Sequence, residues 1–383
     1  MTWLSDWQDR WPADLRSAVL RADPPVQHVV RVTYTHPSIT GERPLLFEAG
    51  TLTLDARAVG FATANVQTSV PTADELALLD PRTGTRIRIY AGYRLPGRAE
   101  VVHKVADMAL RERAVTYAAD PPTASMTLDA ASDDVMLAQS VMLAGSLDTE
   151  DTSASAGLGE ALAGIVNYAL PGTPTIESSV PAGLTPDRLD DLLPPAPGEP
   201  LWSLLESIAD LANTDVICDA LGVWRFNYGR NWTGGYTWLL TTDSALANIL
   251  HVEDVRSLEQ GYANVAVITR TRDGDDTPIV DYGLAPAPLH WRAVGQSAVA
   301  ETRRVKNYLH DWGDAARDVL ARSASRGALI NVETPTAWWV APFARVLVHL
   351  PHDPESAATD YTTERVTFDL AAGTMTVRAV LTT

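Results

Sequence analysis

The chain opens with a helical period and then changes to a period of two. Trp3, Trp7 and Trp11 recur four apart, which puts three indoles on one helical face, and Pro12 suits the first turn of a second helix carrying Leu15, Val19 and Leu20. From Pro24 onward Val30, Val32 and Tyr34 alternate with Arg31, Thr33 and Thr35. Leu52, Leu54, Ala56 and Ala58 alternate with Thr51, Thr53, Asp55 and Arg57, and Ile87 and Ile89 face away from Arg86 and Arg88. Alternation of this kind predicts half-buried antiparallel strands. With further strand-like pieces at 101–105 and 125–130, residues 25–130 read as a small sandwich or barrel.

The stretch from Ser132 to Pro200 has weak helical patterning at 135–143 and 158–170, followed by the Pro-rich LLPPAPGEP. Leu201, Leu204, Leu205, Ile208 and Leu211 then share one face, which predicts a helix over 201–212. A hairpin turning at Ala220 to Gly222 follows, with Trp224, Phe226 and Tyr228 in alternation. A second β region begins near Asn248. Asp273-Gly274 between NVAVITR and PIVDY is a hairpin signal, and Ala316, Val319 and Leu320 predict a helix near 311–326. Three closing strands carry Val346, Val348 and Leu350, then Val366, Phe368 and Leu370, then Met375, Val377, Ala379 and Leu381. The loop Ala371-Ala372-Gly373 joins the last two. The expected organisation is a helical arm (1–24), a first β domain (25–130), an inserted α+β region (131–244) and a second β domain (245–383). The fold class is mixed and mainly β (α+β), with two antiparallel β-barrel or sandwich domains and a helical inserted region.

Composition narrows the function. The 383 residues are 46% hydrophobic and 20% charged, typical of a packed globular chain of two or three domains. The net charge of −18 repels phosphate backbones, so nucleic-acid binding is not expected. The single cysteine, Cys218, excludes an internal disulfide framework and a multi-cysteine zinc site. No apolar run reaches the length of a membrane span, and the acidic, Trp-rich start does not read as a signal peptide.

The sequence carries few catalytic signatures. Gly-x-Ser-x-Gly and His-Glu-x-x-His are absent, and Gly157, Gly159 and Gly164 lack phosphate-loop spacing. The run Asp273, Asp275 and Asp276 has Thr277 and Pro278 where a calcium loop needs a ligand and a glycine. Cys218, between Ile217 and Asp219 in a strand, reads as a buried thiol. No enzyme, metal or cofactor is therefore expected. Two aromatic groups stand out. The stripe Trp3, Trp7 and Trp11 either covers the edge of the first domain's core or docks a neighbouring subunit. The cluster Trp224, Tyr228, Trp232, Tyr236 and Trp238 is a core, a subunit contact or a sugar-stacking platform.

The order of elements resembles the tail hub, or baseplate hub, family of tailed bacteriophages, including minor tail proteins of phages that infect actinobacteria. The likeness is carried by LWSLLESIADLANTDVICDALGVWRF, by LEQGYANVAVITR, by FARVLVHL through TTERVTFDLAAGTMTVRAV, and by FATANVQTSVPTADELALLDPRTGTRIRIYAGY. The stretch from Ser132 to Pro197 matches least. The resemblance implies a homotrimer whose subunits each give two tube-like β domains to a pseudo-sixfold ring. It implies a place at the virion tail tip after assembly in the host cytoplasm, with contacts to the tail tube or distal tail protein ring, the tape measure protein and tail-tip or fibre proteins. DNA would only pass through the acidic lumen. The alternative is a carbohydrate-binding tail-tip adhesin built on the aromatics at 224–238.

Overall fold

The computed structural model describes residues 3–21, 26–119, 122–143, 157–170, 172–181, 197–211, 214–228, 237–242, 247–256, 263–272, 275–285, 290–295, 300–306, 316, 320, 328–350 and 358–382. The arm forms α1 (Trp3–Asp9) and α2 (Ala13–Arg21), the second starting just after Pro12. The first β region follows as β1 (Gln27–Thr35), β2 (Arg43–Leu45), β3 (Phe47–Asp55), β4 (Ala62–Ser69), α3 (Ala73–Leu78), β5 (Arg86–Arg94), β6 (Val101–Ala119) and β7 (Pro122–Ala131). The middle of the chain gives α4 (Asp134–Ala138), α5 (Leu158–Ala169), β8 (Thr175–Ser178), α6 (Leu201–Leu211), β9 (Thr214–Cys218) and β10 (Val223–Tyr228). The last part contains β11 (Thr237–Thr241), β12 (His251–Arg256), β13 (Val265–Arg272), β14 (Asp275–Leu284), α7 (Trp291–Val294), β15 (Ala300–Lys306), β16 (Ala328–Pro335), β17 (Arg345–His349), β18 (Thr359–Asp369) and β19 (Thr374–Leu381).

The fold is mainly β, as the alternation predicts. One 13-stranded sheet runs in the order β12-β16-β19-β18-β3-β4-β7-β6-β5-β1-β2, with β17 and β11 attached through β18. Among the described residues β2 and β12 do not meet, so the path is open and no closed barrel forms. Long β18 is the joint. Its first half pairs with β17, whereas Arg365 to Asp369 pair with β3, placing Val366 opposite Leu54 and Phe368 opposite Leu52. These two cross-strand pairs put residues from opposite ends of the chain into one buried row. Two three-stranded sheets, β8-β10-β9 and β14-β13-β15, stand apart from the large one.

The apolar side chains segregate into two cores. The larger contains α1, the inward residues of β1, β3 to β7 and β16 to β19, and the Trp338-Trp339 segment. The smaller is built by the apolar faces of α5 and α6 with Cys218, Trp224 and Phe226. The five residues that predict the helix at 201–212 lie in α6, with Leu201, Leu204, Leu205 and Ile208 fully buried. β13 and β14 pair antiparallel with Arg272 opposite Asp275, and Asp273-Gly274 itself lies outside the described residues.

The alternation fails at one boundary. β3 stops at Asp55, because the Asp55 carboxylate accepts from the Arg57 amide (2.9 Å) and from Arg365 Nε (2.6 Å), a local turn that competes with the ladder. Ala56 and Ala58 therefore lie beyond the strand. The helix expected near 311–326 lies outside the described residues, except that Ala316 and Leu320 are buried.

β5 and β6 approach each other closely at Gly92, where an added Cβ would stand 1.9 Å from the Val101 carbonyl oxygen. Gly92→Ala is expected to lower stability by about 1 to 3 kcal/mol, the usual cost of overpacking. Urea unfolding followed by circular dichroism checks this; an unchanged midpoint would show that the ladder absorbs a methyl group.

Candidate functional site

The arm lies at the convergence of all three parts of the chain. Trp3, Trp7 and Trp11 are 2%, 1% and 0% exposed. Trp3 packs edge-on against Phe61 of the first β region (4.9 Å between centroids) and Phe343 of the second (6.4 Å). Trp7 Nε1 donates to the Trp338 carbonyl at 2.8 Å, and Trp11 packs edge-on against Tyr93 and His103. The indoles thus fill the chain's own core, which is the first of the two readings open to Trp3, Trp7 and Trp11 and leaves little of their surface for docking a neighbouring subunit. The four-residue spacing defines a common face, and the cover for that face comes from this chain.

Opposite the arm stands a segment that has no periodicity and that sequence reasoning passes over. Trp338 and Trp339 are fully buried, Trp338 stacking on Phe368 at 4.6 Å and donating its amide to the Tyr93 hydroxyl at 2.9 Å. The Tyr93 hydroxyl in turn donates to the Thr336 carbonyl (3.1 Å). Phe343 holds φ +71, a left-handed conformation uncommon for a bulky residue, fixed by its amide bond to the Thr363 carbonyl and by Trp3.

The middle region is tied in by charge. Asp219 caps the turn between β9 and β10, its Oδ1 accepting from the amides of Leu221 and Val223, while Gly222 takes φ +81. Arg225 donates Nε to Asp219 Oδ2 (2.9 Å) and Nη1 to Asp6 of α1 (3.0 Å) and Glu177 of β8 (2.5 Å). Burial raises the Asp219 carboxyl above its ordinary range, opposed by Arg225; its donors, two amides and a guanidinium, are those of a carboxylate. Burial would lower the Arg225 pKa, but Asp219, Glu177 and Asp6 hold it above the ordinary value. The same hairpin touches the first β region where the Asp107 amide donates to the Ala220 carbonyl (2.7 Å). Asp107 also binds Arg86, Arg88 and Lys104, which overcome burial and keep its carboxyl below the usual range.

Two of the aromatics read as a core, a subunit contact or a sugar platform are buried in different cores. Trp224 is fully buried in the smaller core and Trp238, 3% exposed, in the larger. This corrects the platform reading for both: the alternating rings bury their faces between layers. Tyr228 lies in β10, its side chain outside the described set, and Trp232 and Tyr236 fall outside the described residues. Cys218 is buried, and burial pushes its thiol well up, which removes it from nucleophilic chemistry.

What faces outward are edges. Among the described residues β12 pairs only with β16, and β2 only with β1; the turn after β2 presents Leu46 at 79% exposure. β6 and β7 run past their neighbours as a two-stranded ribbon bearing Tyr117, 71% exposed. Open edges of this kind invite strand or side-chain contacts from another chain.

Comparison with solved structures supplies the context for these surfaces. The tail protein from Neisseria meningitidis is similar at a TM-score of 0.61 and 14% identity, covering 92% of this chain and 96% of that one. A prophage MuSo2 tail protein from Shewanella oneidensis gives 0.54 and 11%, covering 93% and 98%. Prophage tail protein gp18 from Listeria monocytogenes gives 0.55 and 8%, covering 91% and 94%. The chain has the fold of phage tail proteins. The match extends over nearly the whole of each partner. No protein-family model and no curated protein sequence matches the chain.

Proposed function

We propose that this protein is a structural subunit of a phage-type tail, three copies of which form a pseudo-sixfold hub ring joining the tail tube or distal tail ring to the tail tip. The observation that carries the reading is the near end-to-end likeness to tail proteins of similar length. Three features of the chain support it. The two β regions share one sheet through the β18 and β3 pairing, so each subunit presents them as a single unit to a ring. The sheet is open at β2 and β12, leaving edges for neighbouring copies, and a head-to-tail contact that closes makes a ring. A net charge of −18 per chain gives a ring lumen that repels DNA during passage. In this role the protein is not an enzyme; its partners are copies of itself, the tube or distal ring, the tape measure protein and tip or fibre proteins.

The test is mass measurement of the complex that the chain forms when co-expressed with the tail proteins encoded beside it. A complex with three copies of the 41.3 kDa chain is expected. A chain that remains monomeric and outside every tail complex contradicts the reading.

A further inference from the structure

We propose that the N-terminal arm is an acid-sensitive latch: protonation of His28 and His103 loosens α1 and α2 from the body while the smaller core stays folded. The proposal concerns the chain itself and stands apart from the tail role. The arm joins no sheet. It is held by its buried indoles and by side-chain bonds, Trp7 to the Trp338 carbonyl, Arg10 to the Lys104 carbonyl (3.0 Å) and Asp6 to Arg225. A line of rings runs from the arm across the sheet. His103 packs edge-on on Trp11 (4.9 Å, 84°), Trp11 on Tyr93 (5.9 Å), and Tyr93 against His28 (5.4 Å). His28 covers the turn between β18 and β19, its Cδ2 only 2.9 Å from where a Cβ on Gly373 would stand.

Both histidines are set to be neutral. His28 Nδ1 and His103 Nε2 are buried with no hydrogen-bond partner among the described residues, and an imidazolium must donate from both nitrogens. Protonation therefore puts a charge on a half-buried ring and a donor on a buried nitrogen that has no acceptor among the described residues. Among the described residues, charged and titratable groups placed near them by contact, strand register or sequence include Arg10 on the arm, Lys104 and Asp107 on β6, Tyr93 and Arg94 on β5, and Asp369 at the Gly373 turn. Arg10 and Lys104 carry the same sign as the new charge. Asp107 already binds Arg86, Arg88 and Lys104, and Asp369 accepts from the amides of Ala371 and Ala372. Burial lowers the pKa of both histidines, and Arg10 adds to the effect at His103.

The sign follows. A histidine whose folded pKa lies below the unfolded value, about 6.5, stabilises the closed form above that pH, and the contribution is lost as pH falls through it. Asp134 and Asp219, whose carboxyls burial raises, act oppositely, favouring the folded chain as they gain protons. A loss of closure as pH falls below about 6.5 is therefore the histidines' signature.

The test places a thiol on the buried side of the arm. Gln8→Cys in a Cys218→Ala background is labelled with 4,4′-dithiodipyridine at pH 7.5 and 5.5, each rate divided by that of an unstructured cysteine peptide at the same pH. The normalised rate is expected to rise about tenfold or more on acidification, since each proton taken up on opening shifts the ratio by up to about tenfold per pH unit. The native Cys218 of the unaltered chain, buried in the smaller core, is expected to stay protected throughout. With His28→Gln and His103→Gln together, or each alone should the pair fail to fold, the rise is expected to shrink. Absence of a rise, labelling of Cys218 in step with the introduced thiol, or an undiminished rise in the histidine variants would each overturn the proposal.

Discussion

Trp7→Ala is expected to cost about 3 to 5 kcal/mol and to destabilise the whole chain, because the indole it removes touches both ends of the sequence. The ring is almost fully buried beside Trp3 (5.9 Å between centroids), and its Nε1 satisfies the Trp338 carbonyl. Truncation leaves a cavity between the arm and the sheet and strands a buried carbonyl, so the two penalties add. Trp7→Phe keeps most of the area and loses the hydrogen bond, and is expected to cost about 1 to 3 kcal/mol. Denaturant unfolding followed by far-ultraviolet circular dichroism measures both. If Trp7→Ala unfolds at the unaltered midpoint yet fails to enter tails, the indole serves a partner and its place in the core is energetically unimportant.

Arg225→Met is the second large effect, about 3 to 5 kcal/mol at neutral pH. The substitution keeps the stem's packing but leaves Asp219 buried without its cation, and it unties Asp6 and Glu177. The deficit is also expected to depend on pH. Without Arg225, only the Leu221 and Val223 amides among its described partners still oppose burial at the Asp219 carboxyl, so its pKa rises further, the folded variant takes up a proton as pH falls and the gap to the unaltered chain narrows. Adding Asp219→Asn to Arg225→Met is expected to recover part of the loss at pH 7.5. A deficit that is equal at pH 7.5 and 5.5 and is not relieved by Asp219→Asn would show that the ion pair contributes nothing beyond packing.

Local pattern was legible where one face of an element is buried and the other is wet. Ile87 and Ile89, Leu52 and Leu54, and Met375 and Val377 alternate with polar residues in the sequence, and all six are buried in strands. The one-faced helix at Leu201–Leu211 was legible for the same reason. Partnership was not. Nothing in the period of β18 says that it pairs with β3, more than three hundred residues earlier, and nothing in the spacing of Trp3, Trp7 and Trp11 says what covers them. Trp338 and Trp339 sit in an irregular segment where adjacent residues are all buried, so no period marks them. Four-residue β8 is too short to alternate visibly and is held by parallel pairing with β10. The Asp6 and Arg225 bond spans 219 positions, and no local signal encodes it. The family resemblance supplied what the periods could not, an order of elements over most of the chain, and the solved tail proteins share that fold.

The proposal that three copies of this fold close into a ring at the junction between tail tube and tail tip is readable in the assembled particle. A cryo-EM reconstruction of the tail that carries this chain tests it most directly. The expected map holds three copies at that junction, the two β regions of each alternating around the channel and the open edges at β2 and β12 covered by neighbouring copies. A map that places the chain elsewhere in the particle, holds it in another copy number, or leaves those edges bare would contradict it.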